Sequence, residues 1–178
     1  MKLSDAWLRE WVRAPITTKD LGEQLTMAGH EVASITQVAE HFDRVVVGAV
    51  LSVEPHPNAQ KLHLCRVDVG GPEPLQIVCG ASNVAPAMRV PTALLGAVLP
   101  NGIRIKEAKL RGVESFGMLC SAEELGLAET SAGLMPLPPD APIGRDVREY
   151  LGLDDQIIEL ELTPDRGDCL SVRGIARE

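Results

Sequence analysis

The sequence predicts a mostly β protein in which a small closed barrel interrupts a split α+β frame. Three observations point there. Short apolar runs punctuated by glycine and proline recur between Val45 and Cys120, and strands of that size and spacing suit a small barrel. The flanks differ in style, with helix, helix and strand before the barrel and an alternating strand leading to a helix start after it. The first 38 residues are also too few to fold well alone. Residues 1–38 plus 152–178 are therefore expected to form one split α+β domain, with residues 39–151 as the insert.

Ser4 can cap a first helix that carries Trp7, Leu8, Trp11 and Val12 on one face, and Pro15 stops it. Core packing is the expected role of both tryptophans. Thr17-Thr18-Lys19-Asp20 marks a second helix start, Leu21 and Leu25 lie one turn apart, and Gly29 supplies the stop. Glu31–Val38 then reads as a strand.

Val45–Val53 is nearly all apolar, as expected of a strand covered on both faces. His56-Pro57-Asn58-Ala59-Gln60-Lys61-Leu62 links it to Leu62–Val69 and puts Lys61 at the barrel mouth. Gly70-Gly71-Pro72-Glu73-Pro74 turns the chain into Gln76–Cys79. The small residues Cys79–Val84 follow. Asn83 there either closes a tight turn on its own backbone or reaches a partner. Arg89–Leu95 is the next strand. Leu99-Pro100-Asn101-Gly102-Ile103 is a hairpin signal joining Leu94–Leu99 to Ile103–Lys106. Ile103 and Ile105 are expected inward, Arg104 and Lys106 outward.

Phe116–Cys120 closes the barrel, and Ser121-Ala122-Glu123-Glu124 is a capping box that begins a short helix. A proline-rich connection runs to Pro142, and Asp146 caps a short helix through Leu151. Ile158, Leu160 and Leu162 alternate with glutamates as a half-buried strand. Thr163–Asp168 turns this strand into a helix in which the chain stops without a stop signal, so a longer polypeptide is expected.

The formal charge of −8 excludes a general affinity for nucleic acid. Any such contact needs a local patch, and Ile103–Val113 supplies one: Arg104, Lys106, Lys109 and Arg111 face only Glu107. A solvated edge that discourages aggregation would carry the same charges. With 3% aromatics the core must be aliphatic. Phe42, Phe116 and Tyr150 are too few to stack a run of unpaired bases. Phosphates and shape of a folded RNA fit better.

Cys65, Cys79, Cys120 and Cys169 are scattered, as for buried free thiols in a reducing compartment. Nothing resembles a signal peptide, and no run reaches the ~18 apolar residues of a membrane span. A cytoplasmic protein without membrane contact is expected. No phosphate-binding glycine pattern is present. His56, His63 and Cys65 lack a fourth zinc ligand, so no metal is expected. Ser115 or Cys120 with His63 lacks a nucleophile elbow, so no catalytic residue is expected.

His56–Leu62, Val67-Asp68-Val69-Gly70, Gln76–Asn83 and Leu110–Cys120 in this order resemble the tRNA-binding barrel domain shared by several synthetases and freestanding tRNA-binding proteins. That family commonly has Asp at the position of Gln60. Leu25–Val32, Leu162–Ser171 and Gly174–Glu178 further resemble the start of the bacterial phenylalanyl-tRNA synthetase β subunit.

The resemblance implies an OB-type barrel inserted in an N-terminal domain. It also implies membership of an (αβ)₂ ligase that joins phenylalanine to tRNA with ATP and Mg²⁺. Catalysis and those cofactors lie elsewhere in that enzyme, so none is implied for this stretch. Its partners would be tRNA, the α subunit and the remainder of the β subunit. By motif position or charge, Lys61, Asn83, Arg104, Lys106, Lys109, Arg111 and Ser115 are the expected RNA contacts. An assembly module whose barrel no longer binds RNA, or a freestanding tRNA-binding protein, is the alternative.

Overall fold

The computed structural model describes residues 1–178. In chain order the elements are β1 (Lys2–Ser4), α1 (Asp5–Trp11), α2 (Thr18–Met27), β2 (Glu31–Gln37), β3 (Val45–Pro55), β4 (His63–Asp68) and β5 (Leu75–Cys79). Then come β6 (Arg89–Ala93), β7 (Ala108–Leu110), β8 (Val113–Ser115), β9 (Met118–Leu119), α3 (Val147–Leu151), β10 (Gln156–Glu161), a 3₁₀ turn (Gly167–Cys169) and α4 (Val172–Ile175). They divide into two compact units, Met1–Val38 with Leu153–Glu178, and Ala39–Gly152. No helix is long and apolar enough to cross a membrane.

In the first unit β10 lies between β1 and β2, antiparallel to both. Ser4 Oγ accepts the Trp7 amide at 2.9 Å and Thr17 Oγ1 accepts that of Asp20 at 3.1 Å, so both N-caps form where the residue types require them. Leu3, Leu8, Leu21, Leu25, Ile158, Leu160, Val172 and Ile175 make the core. Trp7 and Trp11 do not join it: they stay 53% and 55% exposed, and Leu8 is the one apolar side chain the first helix buries. A seven-residue helix presents only a narrow stripe to one sheet. Arg9 explains the link to α2: it pairs with buried Asp5 at 2.9 Å and donates to the carbonyls of Ala14 and Ile16, on either side of Pro15.

The second unit is a nearly closed five-stranded barrel in the order β5-β4-β3-β6-β9. β3 makes this possible. Its first half pairs with β6 from Val45 to Ala49, and its second half with β4 from Ala49 to Pro55. A bulge between Val50 and Ser52 shifts its register against β4, and such bulges bend and coil a strand. Gly48 sits at the curl, where a Cβ would come within 2.1 Å of Thr92 Oγ1. Across the gap between β9 and β5, the Phe116 amide donates to Gln76 O at 2.9 Å. Arg148 of α3 covers this unit's start. It lies 5.0 Å from the centroid of the fully buried Phe42 ring and donates to Glu40 O.

Three local expectations fail. Asn101-Gly102 does turn, with Gly102 at φ +80°, but only an isolated bridge, Val98 with Arg104, follows. Ile103 is half exposed while Ile105 is buried, so the arms never become a ladder. The paired hairpin is β7–β8 instead. At Ser121 both halves of the capping box form, Glu124 N–H to Ser121 Oγ at 3.2 Å and Ser121 N–H to Glu124 Oε2 at 2.6 Å, yet they enclose turns and no helix.

Gly48→Ala is expected to destabilise the barrel by about 1–3 kcal/mol, read by urea denaturation. A second expectation concerns acid. Arg166 hydrogen-bonds Asp168 and Glu178 and holds both carboxyls below the usual range, with His30 adding to the effect on Glu178. Native values below the unfolded ones stabilise the fold above the unfolded carboxyl pKa of ~4 and lose that effect as pH falls through the native values. Melting profiles against pH should show this acid limb, and Arg166→Ala should flatten it.

Candidate nucleic-acid interface

The loop after β3 closes on itself through the His56 amide and Leu62 O at 3.0 Å. Within it, His56 Nδ1 accepts the Asn58 amide at 3.1 Å. That assignment leaves the ring proton on Nε2, which donates to Leu110 O at 3.1 Å. Asn58 Nδ2 donates to Arg111 O at 3.0 Å. One proline-stiffened loop thus grips two successive carbonyls of the β7–β8 hairpin. The hairpin turns at Arg111 and Gly112, with φ of +49° and +91°. Two positive φ values make a type I′ turn, whose twist suits a two-residue hairpin. A non-glycine residue there costs about 1–2 kcal/mol, and the Asn58 bond offsets part of it.

The grip fixes where Lys109 and Arg111 stand. Arg111 is at the hairpin tip, Lys109 on its first strand, and Lys61 in the gripping loop, all exposed. Arg104 and Lys106 line a cleft of about 630 Å³ floored by Val78, Cys79 and Leu119 and bordered by Leu110. None of these five side chains is ion-paired, whereas Arg9, Arg145 and Arg166 all are. Lys109 faces Glu114 across the hairpin. Of the cleft's carboxylates, Glu124 is engaged by the Ser121 amide and hydroxyl.

Ser115 and Asn83 stand differently. Ser115 is 3% exposed; its hydroxyl donates to Gly117 O and accepts the Val78 amide, both at 3.1 Å. Asn83 bonds the amide and the carbonyl of Leu134, both at 2.9 Å, and so pins the segment after Ser131. Both are backbone clamps. His56 and Asn58 are the positioning residues that sequence reasoning passed over. The signal was there: Arg-Gly between Leu110 and Val113 is a hairpin turn, and a hairpin tip needs a support.

Cys120, the thiol that the sequence offered as a partner for His63, is fully buried. All four cysteines are buried and free. Burial, with the nearby Glu124 charge, pushes the Cys120 thiol up to about 12.

A five-stranded antiparallel barrel in this strand order is an OB-type barrel. Residues 45–146 match the family model described as a putative tRNA binding domain, and the chain belongs to that family. Over its whole length it is 57% identical to the "Phenylalanine--tRNA ligase beta subunit" of Methylococcus capsulatus and 60% identical to that of Hahella chejuensis. The chain spans about 22% of the length of each. Among solved structures, a MetRS-related protein from Pyrococcus horikoshii is 30% identical over 56% of this chain and 84% of that one, with a TM-score of 0.41.

Ser115→Ala would leave the buried Val78 amide without its partner. It is expected to cost about 1–3 kcal/mol, whereas Lys106→Ala should stay within about 0.5 kcal/mol. Denaturant melts of the two variants side by side check the assignment of clamp and surface cation.

Proposed function

We propose that this chain is the N-terminal, non-catalytic tRNA-binding and assembly segment of a phenylalanine–tRNA ligase β subunit. The observation that carries the reading is the gripped hairpin, which presents unpaired cations on a barrel of a tRNA-binding family. Lys61, Arg104, Lys106, Lys109 and Arg111 contact the sugar-phosphate surface of a folded tRNA. Asn83 and Ser115 act through the backbone they hold. Scarce aromatics favour reading of shape over reading of unpaired bases. ATP and Mg²⁺ serve the whole ligase, an (αβ)₂ assembly of the cytoplasm, through parts outside this chain. The α subunit and the rest of the β subunit are its protein partners.

Each cation that meets a phosphate releases condensed counterion, so binding weakens as salt rises. tRNA titration at several salt concentrations tests the reading. Lys106→Ala and Arg111→Ala should each weaken binding and lower the slope of log K against log salt by about 0.7–0.9. Asn58→Ala removes no charge. It should weaken binding by loosening Arg111 while leaving the slope nearly unchanged.

A second reading, a protein-assembly module, draws on the acidic balance of residues 40–150, which carry 10 basic and 13 acidic side chains. No binding at low salt would select it.

A further inference from the structure

The first unit holds a polar cluster that the RNA reading does not use. His30 follows the left-handed Gly29 at the entry to β2 and is 1% exposed. Both its ring nitrogens are buried, and neither makes a hydrogen bond. Buried imidazole nitrogens nearly always have a partner, so this one calls for an explanation. Its Nε2 lies 3.5 Å from Glu178 Oε2. The Sγ of Cys169, fully buried, completes a set of three donor atoms within 4.8 Å of one another.

A separation of 3.5 Å is long for a hydrogen bond. It is close to the ~3.4 Å between two ligands that share one ion at ~2.0–2.1 Å and a tetrahedral angle. We propose that His30, Cys169 and Glu178 form a site for a zinc-class divalent cation, which ties together the two chain segments that build this unit. One nitrogen, one sulfur and one oxygen donor suit a borderline-soft ion and do not suit calcium or magnesium.

The surroundings fit. Arg166 Nη2 donates to the other Glu178 oxygen at 2.9 Å and to Cys169 Sγ at 3.0 Å. It leaves Oε2 facing His30 and offers the sulfur a charged donor. Such outer contacts orient ligands and tune them. Asp168, held by Arg166 at 3.2 Å, places Oδ2 3.5 Å from Cys169 Sγ and so flanks the sulfur. Two carboxylates, Asp168 and Glu178, share one guanidinium, Arg166, and a dication offsets the excess negative charge. The ligand positions are fixed by close packing: a Cβ at Gly174 would lie 2.1 Å from Asp168 O, so α4 is seated on the turn that carries Cys169.

The three ligands stand at positions 30, 169 and 178, so no spacing motif announces them, and the sequence alone led us to expect no metal. The test is titration of the reduced, chelator-treated chain with Co²⁺ as probe, followed by displacement with Zn²⁺. One equivalent should bind with a thiolate-to-cobalt charge-transfer band, bleach on zinc addition, and raise the melting temperature. Cys169→Ser should abolish the band, and Glu178→Gln should weaken binding at least tenfold. Glu178 is partly exposed, so that variant keeps a fold in which to measure the loss. Cys79→Ser should leave the band intact. Absence of stoichiometric binding, a band that survives Cys169→Ser, or an affinity unmoved by Glu178→Gln would each overturn the site.

Discussion

Two side chains of one short loop hold two neighbouring carbonyls of another. His56 on Leu110 O and Asn58 on Arg111 O set the hairpin that carries Lys109 and Arg111. The constraint is mainly geometric. A hairpin of two three-residue strands has little ladder of its own, and an isolated hairpin is marginal in water. Buried polar atoms supply what the ladder lacks. His56 has both nitrogens satisfied, one by the loop that contains it and one by the hairpin it supports. A single imidazole therefore couples the shape of the loop to the place of the tip.

The same economy recurs in the barrel. Ser115 and Asn83 each serve backbone groups on a neighbouring segment. These two clamps are small and uncharged, and Lys61, Arg104, Lys106, Lys109 and Arg111 are exposed and free of ion pairs. Surface ion pairs contribute little to stability, so leaving cations unpaired costs the fold little. It leaves them available to an anionic surface, which gives an acidic chain one locally basic face.

The first unit solves a different problem. Its strands come from both ends of the chain, with β10 between β1 and β2. Its core is small, nine buried residues of which Cys169 is one. Polar groups do part of the joining. The terminal amine of Met1 bonds Leu160 O, and Arg166 gathers Asp168, Cys169 and Glu178 around His30. Small units commonly need such supplements to a limited apolar core.

Local chemistry was sufficient for much of this. The caps at Ser4, Thr17 and Asp146 and the left-handed stop at Gly29 depend on contacts a few residues apart, and the residue types imply them. The strands β2 to β6 follow from apolar runs bounded by turn residues, and so does the barrel class. What local pattern could not decide was competition for partners. The Asn101-Gly102 turn forms but has no ladder to join. The box at Ser121 forms but caps no helix. Trp7 and Trp11 find no second layer and stay exposed. The pairing of His56 and Asn58 with a hairpin more than fifty residues on, and of His30 with Cys169 and Glu178, belongs to tertiary structure alone. Each such contact depends on which distant backbone or side chain is brought within about 3 Å, and chain spacing carries no record of that.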